Sequence, residues 1–143
     1  MTYLTHEVVL TFILRVILGI LFFFQGYDKV FKLGISGVRS FFREEMRGKN
    51  IPDGLLGFSA YLTSYIELIG GALLIVGLFK TWALYLLGLD LIIVCGAFSL
   101  LKPMWDMQLL FPRLLLLAML LYLPCEWDLI SLDQLLSGLT QPE

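Results

Sequence analysis

Charge is scarce in this chain, and histidine and cysteine are scarcer still. Asp, Glu, Lys and Arg make up 15% of the residues, against roughly 25% in soluble domains. One histidine, His6, and two cysteines, Cys95 and Cys125, complete the reactive inventory, and no CxxC or Cys/His cluster joins them. That leaves no ligand set for structural zinc or haem. No metal site and no catalytic residue is assigned. The formal net charge of −2 offers nothing to nucleic acid, whose phosphates demand a basic surface. Lys and Arg are also absent from Met1 to Glu7 and from everything after Leu123. The first apolar run therefore lacks the positive flank of a secretory signal. It contains Arg15, and no small-x-small cleavage site follows, so it is read as a retained span.

What the chain has instead is apolar sequence. Hydrophobic residues account for 59% and the mean hydropathy is +0.87. A transmembrane helix needs about 20 mostly apolar residues, and four segments qualify: about 8–26, 57–79, 82–101 and 107–123. The fourth contains Pro112, which a span tolerates when neighbours satisfy the freed carbonyl; a kink near Gln108–Pro112 is expected. The fold class is all-α, a four-helix transmembrane bundle forming one domain over residues 1–143.

The connections are uneven. Lys80 and Thr81 make a short link between spans two and three, and Lys102 to Asp106 a short link between three and four. The stretch from Tyr27 to Leu56 is long and holds six of the ten basic residues. Within it Val38, Phe41, Phe42 and Met46 fall at helical spacing, with Arg39, Arg43, Glu44 and Arg47 on the other side. That pattern is an amphipathic helix at the membrane surface; the alternative is a solvated loop. With Lys102, one side of the membrane carries seven Lys/Arg, and the other carries Lys80 alone. The positive-inside rule then puts the long loop in the cytoplasm and both termini outside. The expected location is a bacterial cytoplasmic membrane.

Arg15, Glu67, Asp90 and Arg113 fall one per span, near the span midpoints. A charge at the centre of a lone helix costs ~2.5–3.5 kcal/mol on insertion scales, so four must compensate one another. The simplest pairing joins sequence neighbours, Arg15 with Glu67 and Asp90 with Arg113, with cross-pairing left open. Arg15, Gly19, Phe22, Gly26 and Lys29 share one helical face. Thr63, Glu67, Gly70, Gly71, Leu74 and Gly77 share another. Glycines on such faces (Gly19, Gly26, Gly70, Gly71 and Gly77) let helix backbones approach in lipid. The buried charges either fix helix register or bind a polar headgroup, a quinone or a proton. Cys95 and Cys125 belong to opposite ends of the bundle and are expected as free thiols.

Leu14-Arg15, Gly19, Phe22, Gly26 and Lys29, followed by Glu67-Leu-Ile-Gly-Gly and Gly77-Leu-Phe, resemble the DoxX family of small membrane proteins. Ser131-Leu132-Asp133 is similar to that family's C-terminal Ser-Leu-Asp. The resemblance implies a four-helix membrane fold and a loose association with redox systems, since the family is named for a subunit of a thiosulfate:quinone oxidoreductase. The chain departs from the family pattern at Gln25, where His is frequent, and at Cys125 to Asp128, in place of a Gly-rich stretch. The leading expectation is therefore an accessory or anchoring subunit of a larger, redox-linked membrane assembly, not catalytic by itself. The alternatives are a quinone- or lipid-binding oxidoreductase subunit and a proton-coupled transporter. Expected partners are the lipid bilayer and other membrane or envelope proteins. No cofactor is evident from the sequence; a quinone is the class the central charges would suit.

Overall fold

The computed structural model describes residues 5–101 and 106–139. Among the described residues every regular element is a helix, without strands. Helix α1, His6–Tyr27, runs on through a π-helical segment, Asp28–Leu33, into α2, Gly34–Glu45. Then come α3, Asp53–Val76, α4, Lys80–Leu101, and α5, Asp106–Tyr122. A 3₁₀ turn at Cys125–Trp127 leads to α6, Leu132–Leu139.

Three helical stretches are long and apolar enough to cross a bilayer: the one containing α1, then α3 and α4. The apolar part of α5, Leu110–Tyr122, is shorter, and Pro112 lies within its continuous helix. Lys102 and most of the third link, 102–105, lie outside the described residues. The helices α1, α3, α4 and α5 form a ring in which each packs on the next and α5 closes back on α1. Leu14, Leu18, Phe22, Leu74, Leu84, Leu87, Leu117 and Leu120 fill its centre. Outward, Ile13, Ile17, Phe24, Tyr61, Ile69, Leu89 and Ile92 stand exposed. A coat of this kind suits lipid and would be a liability in water.

The closest approach is between α1 and α3. A Cβ on Gly19 would stand 2.8 Å from Ile75 Cγ1, and one on Gly26 or Gly71 would collide with the backbone of the facing helix, at Leu68 and Phe23 respectively. Gly70 instead faces α4, its side-chain space bordered by Leu87 at 3.0 Å. Gly77 leaves room for the Arg15 side chain of α1 and has a second role besides. It ends α3 in the left-handed conformation (φ +73°), with its own amide bonded back to Leu74 and that of Leu78 to Leu73. This is a Schellman stop, which favours glycine. It also moves the second link to Gly77–Phe79, so that Lys80 and Thr81 begin α4 and are not loop residues.

The amphipathic helix is present as α2. Val38 is buried and Phe42 half-buried against the bundle, with Met46 buried just beyond the helix end, while Arg43, Glu44 and Arg47 face out. Phe41 borders the same cavity as Val38, Phe42 and Met46, yet it remains 54% exposed.

Candidate functional site

The glycine contacts set the register of α1 against α3, and the register decides which charges meet. Gly26 lies level with Glu67 and Leu68. Arg15, eleven residues back, is about 16 Å away along the axis at 1.5 Å per residue. The expected Arg15–Glu67 pair therefore does not form. Pairing sequence neighbours with each charge near its span midpoint misses this register, because α1 continues as helix beyond Gly26 into the π-helical segment.

Two separate, formally neutral clusters replace the single network. The first lies at the C-terminal end of α3. Arg15, 1% exposed, donates from Nη1 to the Leu74 carbonyl (3.1 Å) and from Nη2 to the Ile130 carbonyl (2.5 Å), and its Nε stands 3.3 Å from Asp128 Oδ1. Lys80 Nζ is 3.4 Å from the other oxygen of Asp128. The Asp133 carboxylate accepts the Lys80 amide at 3.2 Å, and the Asp133 amide donates to the Gly77 carbonyl at 3.0 Å. The Arg15 guanidinium occupies the space where a side chain on Gly77 would stand. Ser131 Oγ donates to the Asp128 carbonyl (2.7 Å) and accepts the Gln134 amide (3.3 Å), capping α6. Both terminal nitrogens of Arg15 donate to backbone carbonyls and its Nε faces Asp128, so this cluster is a clasp for the C-terminal segment.

The second cluster is built from Lys29, Glu67, Asp90 and Arg113. Lys29 Nζ lies 2.8 Å from Glu67 Oε1 and 2.7 Å from Oε2. The Asp90 carboxyl lies beside that of Glu67, and Lys29 and Arg113 are both within electrostatic reach of the two acids. The Arg113 guanidinium stands 5.8 Å over the ring of Phe22. Asp90 and Arg113 thus meet in one cluster, and among the described residues the Asp90 carboxyl has that of Glu67 as its hydrogen-bonding neighbour. Among the same residues the buried Thr63 Oγ1 and Gln25 Oε1 are without a partner. Buried acceptors of this kind are costly to leave unmet.

These atoms border a cavity of about 600 Å³, within the range of small-molecule sites. Lys29, Glu67, Asp90 and Arg113 form its polar end, with Thr63 and Gln25 beside them. The remaining walls are mostly apolar and come from α1, α2, α3, α4 and α5, among them Phe22, Val38, Phe42, Leu56, Leu91 and Val94. Such a shape accepts a molecule with a polar head and an apolar body. The four charges can hold the head group and exchange a proton with it.

Four participants were not assigned to the charge network from sequence: Lys29, Lys80, Asp128 and Asp133. Lys29 carried a signal, since it lies one turn beyond Gly26 on the Arg15 face. Asp128 carried none, because nothing in its local pattern points back to α1. Among the described residues no group of His, Cys, Asp and Glu could hold a metal ion. Cys95 is half-buried in α4 and Cys125 is exposed beyond α5; both are free.

The family model for DoxX matches residues 10–100 of the chain. The match takes in Arg15, Lys29, Glu67 and Asp90 and stops before Arg113 and the Ser131–Asp133 tail. No curated protein and no solved structure matches.

Proposed function

The chain belongs to the DoxX family of small membrane proteins, and from that premise we propose that it holds an amphipathic, bilayer-soluble ligand of the quinone class within its helix bundle. The observation that supports this reading is the cavity, whose apolar walls end on a neutral set of two acids and two bases with buried acceptors to spare. A bare structural network would have no need of an adjoining space for a ligand. In this reading the chain is the quinone-holding, accessory subunit of a redox-linked membrane assembly. Lys29 and Arg113 present donors to a quinone oxygen, while Asp90 and Thr63 accept from the hydroxyls of its reduced form.

The test is quinone content after purification in mild detergent. The parent is expected to retain quinone. Lys29→Met with Glu67→Met removes both partners of one pair and leaves neither of them orphaned, so the fold should survive. Binding of an added short-tailed benzoquinone should weaken about tenfold or more, as expected when charge-assisted contacts are lost. A folded double variant that binds the quinone as the parent does would overturn the reading. A parent that carries no quinone and binds none, but brings stable protein partners through purification, would make the chain an anchoring subunit instead.

We further propose that the α1–α2 side faces the cytoplasm, following the basic residues of the long loop, in a bacterial cytoplasmic membrane. Cys125, exposed at the opposite end of the bundle, is a built-in reporter. A membrane-impermeant maleimide applied to intact cells or spheroplasts is expected to label it. Protection in intact spheroplasts with labelling after lysis would reverse the orientation.

A further inference from the structure

Helix α2 walls one side of the cavity with Val38, Phe42 and, at its end, Met46. Its main contacts are with α3 and with the π-helical segment that leads into it. At each end stands a glycine with positive φ, Gly34 at +69° and Gly48 at +90°. Neither serves close packing. A Cβ on Gly48 would meet nothing within 4 Å, and one on Gly34 only Ser36 Oγ at 3.9 Å. What these glycines supply is a change of chain direction on either side of a rigid helix, which is how hinged segments are built.

The free side of α2 is fastened to the bundle by ion pairs to one residue. Arg39 and Arg43 both bind the carboxylate of Asp53, the first residue of α3, Arg43 through Nε at 3.0 Å and both through their terminal nitrogens. The Arg39 stem lies across Gly57, with Cδ 3.5 Å from where a Cβ would stand. Arg43 and Asp53 are exposed, at 60% and 47%, and Arg39 is partly so, at 42% with its Nε buried. Exposed pairs hold weakly and open readily, in contrast to the buried contacts of Arg15 and Glu67.

We infer that α2 is a lid over the cavity, hinged at Gly34 and Gly48 and latched by Arg39 and Arg43 on Asp53, through which the ligand enters and leaves. This rests on the quinone-holding reading for the identity of the ligand, but not for the motion. Opening exposes the inner face of α2, and Val38, now 3% exposed, reports it.

The experiment uses the full chain in detergent, with Cys95→Ser and Cys125→Ser, and follows the rate at which a water-soluble maleimide labels Val38→Cys. Leu87→Cys, in the ring core, serves as a control for general loosening. Arg39→Gln with Arg43→Gln should raise the Val38→Cys rate about fivefold or more, the scale on which weak exposed pairs act. Asp53→Asn, which undoes the latch from α3 without touching α2, should do the same. The Leu87→Cys rate should not change. A saturating short-tailed benzoquinone should slow Val38→Cys labelling in parent and latch variants alike. Latch variants that leave the Val38→Cys rate unchanged, or raise both rates equally, overturn the lid. If the latch variants accelerate labelling and the quinone has no effect on it, the lid stands and the quinone reading falls. If the quinone binds but labelling ignores the latch, the reverse holds.

Discussion

Gly71→Ala is expected to abolish recovery of folded protein, although it adds a single methyl group. The methyl would lie against the Phe23 backbone and 2.8 Å from the Gly19 carbonyl oxygen. Side chains can yield by changing rotamer, and overpacking among them costs about 1–3 kcal/mol. A helix backbone can yield only by moving as a whole. Shifting α1 away from α3 would also part Gly26 from Leu68 and Lys29 from Glu67. The penalty therefore exceeds the usual range and approaches the ~5–15 kcal/mol that holds a domain together. Gly88→Ala is the control. Its methyl would meet only the Leu117 methyls at 3.8 and 3.9 Å, an ordinary contact, and α4 gains up to ~1 kcal/mol of helix propensity. Size-exclusion profiles and thermal denaturation in detergent measure both. Equal melting temperatures for the two variants would mean that the α1–α3 contact is looser than described.

The second large effect concerns Arg15. Arg15→Leu leaves Asp128 facing Lys80 alone and frees the carbonyls of Leu74 and Ile130. Breaking a buried pair costs ~3–5 kcal/mol in soluble proteins, with a smaller figure where the unfolded reference stays in the membrane. The informative measurement is a pair of double-mutant cycles, read as unfolding free energy in mixed detergent micelles. Arg15→Leu with Asp128→Leu should show a coupling of ~1–3 kcal/mol. Arg15→Leu with Glu67→Leu should be additive to within ~0.5 kcal/mol, as for sites without shared partners. Strong coupling between Arg15 and Glu67 would return the two to one network and contradict the register set by the glycines.

Which parts of this were readable from sequence follows from the range of the forces involved. Helices α1, α3, α4 and α5 were legible because each is its own run of apolar residues, and α2 because its period is internal. The ion pairs were not, since pairing depends on the sliding of α1 against α3. A shift of about four turns exchanges Arg15 for Lys29 as the partner of Glu67 and leaves the hydropathy of every span unchanged. Part of the information was nonetheless present in Gly19 and Gly71, each of which comes close to the other's carbonyl, whereas Gly26 faces Leu68 and Glu67 and not a glycine. Asp128 is a different case. It reaches Arg15 through the fold of the whole chain, across 113 positions, and no local pattern announces such a contact. The cavity was also beyond reach, because it is a space between five helices and belongs to none of them.

The clasp at Arg15 has a consequence for biosynthesis. Arg15 leaves the ribosome in the first hydrophobic segment, and its ionic partner follows only after more than a hundred further residues have been made. At ~5–20 residues per second the delay is roughly 6–23 s, long compared with helix formation. Throughout that interval the arginine sits in a nascent helix without its counter-ion. The Leu74 carbonyl that it later binds arrives about midway, and the Ile130 carbonyl at the close. The chain must therefore shelter this charge at the translocon or the lipid headgroups until Asp128 has been made, and Lys80 of α4 waits for the same counter-ion.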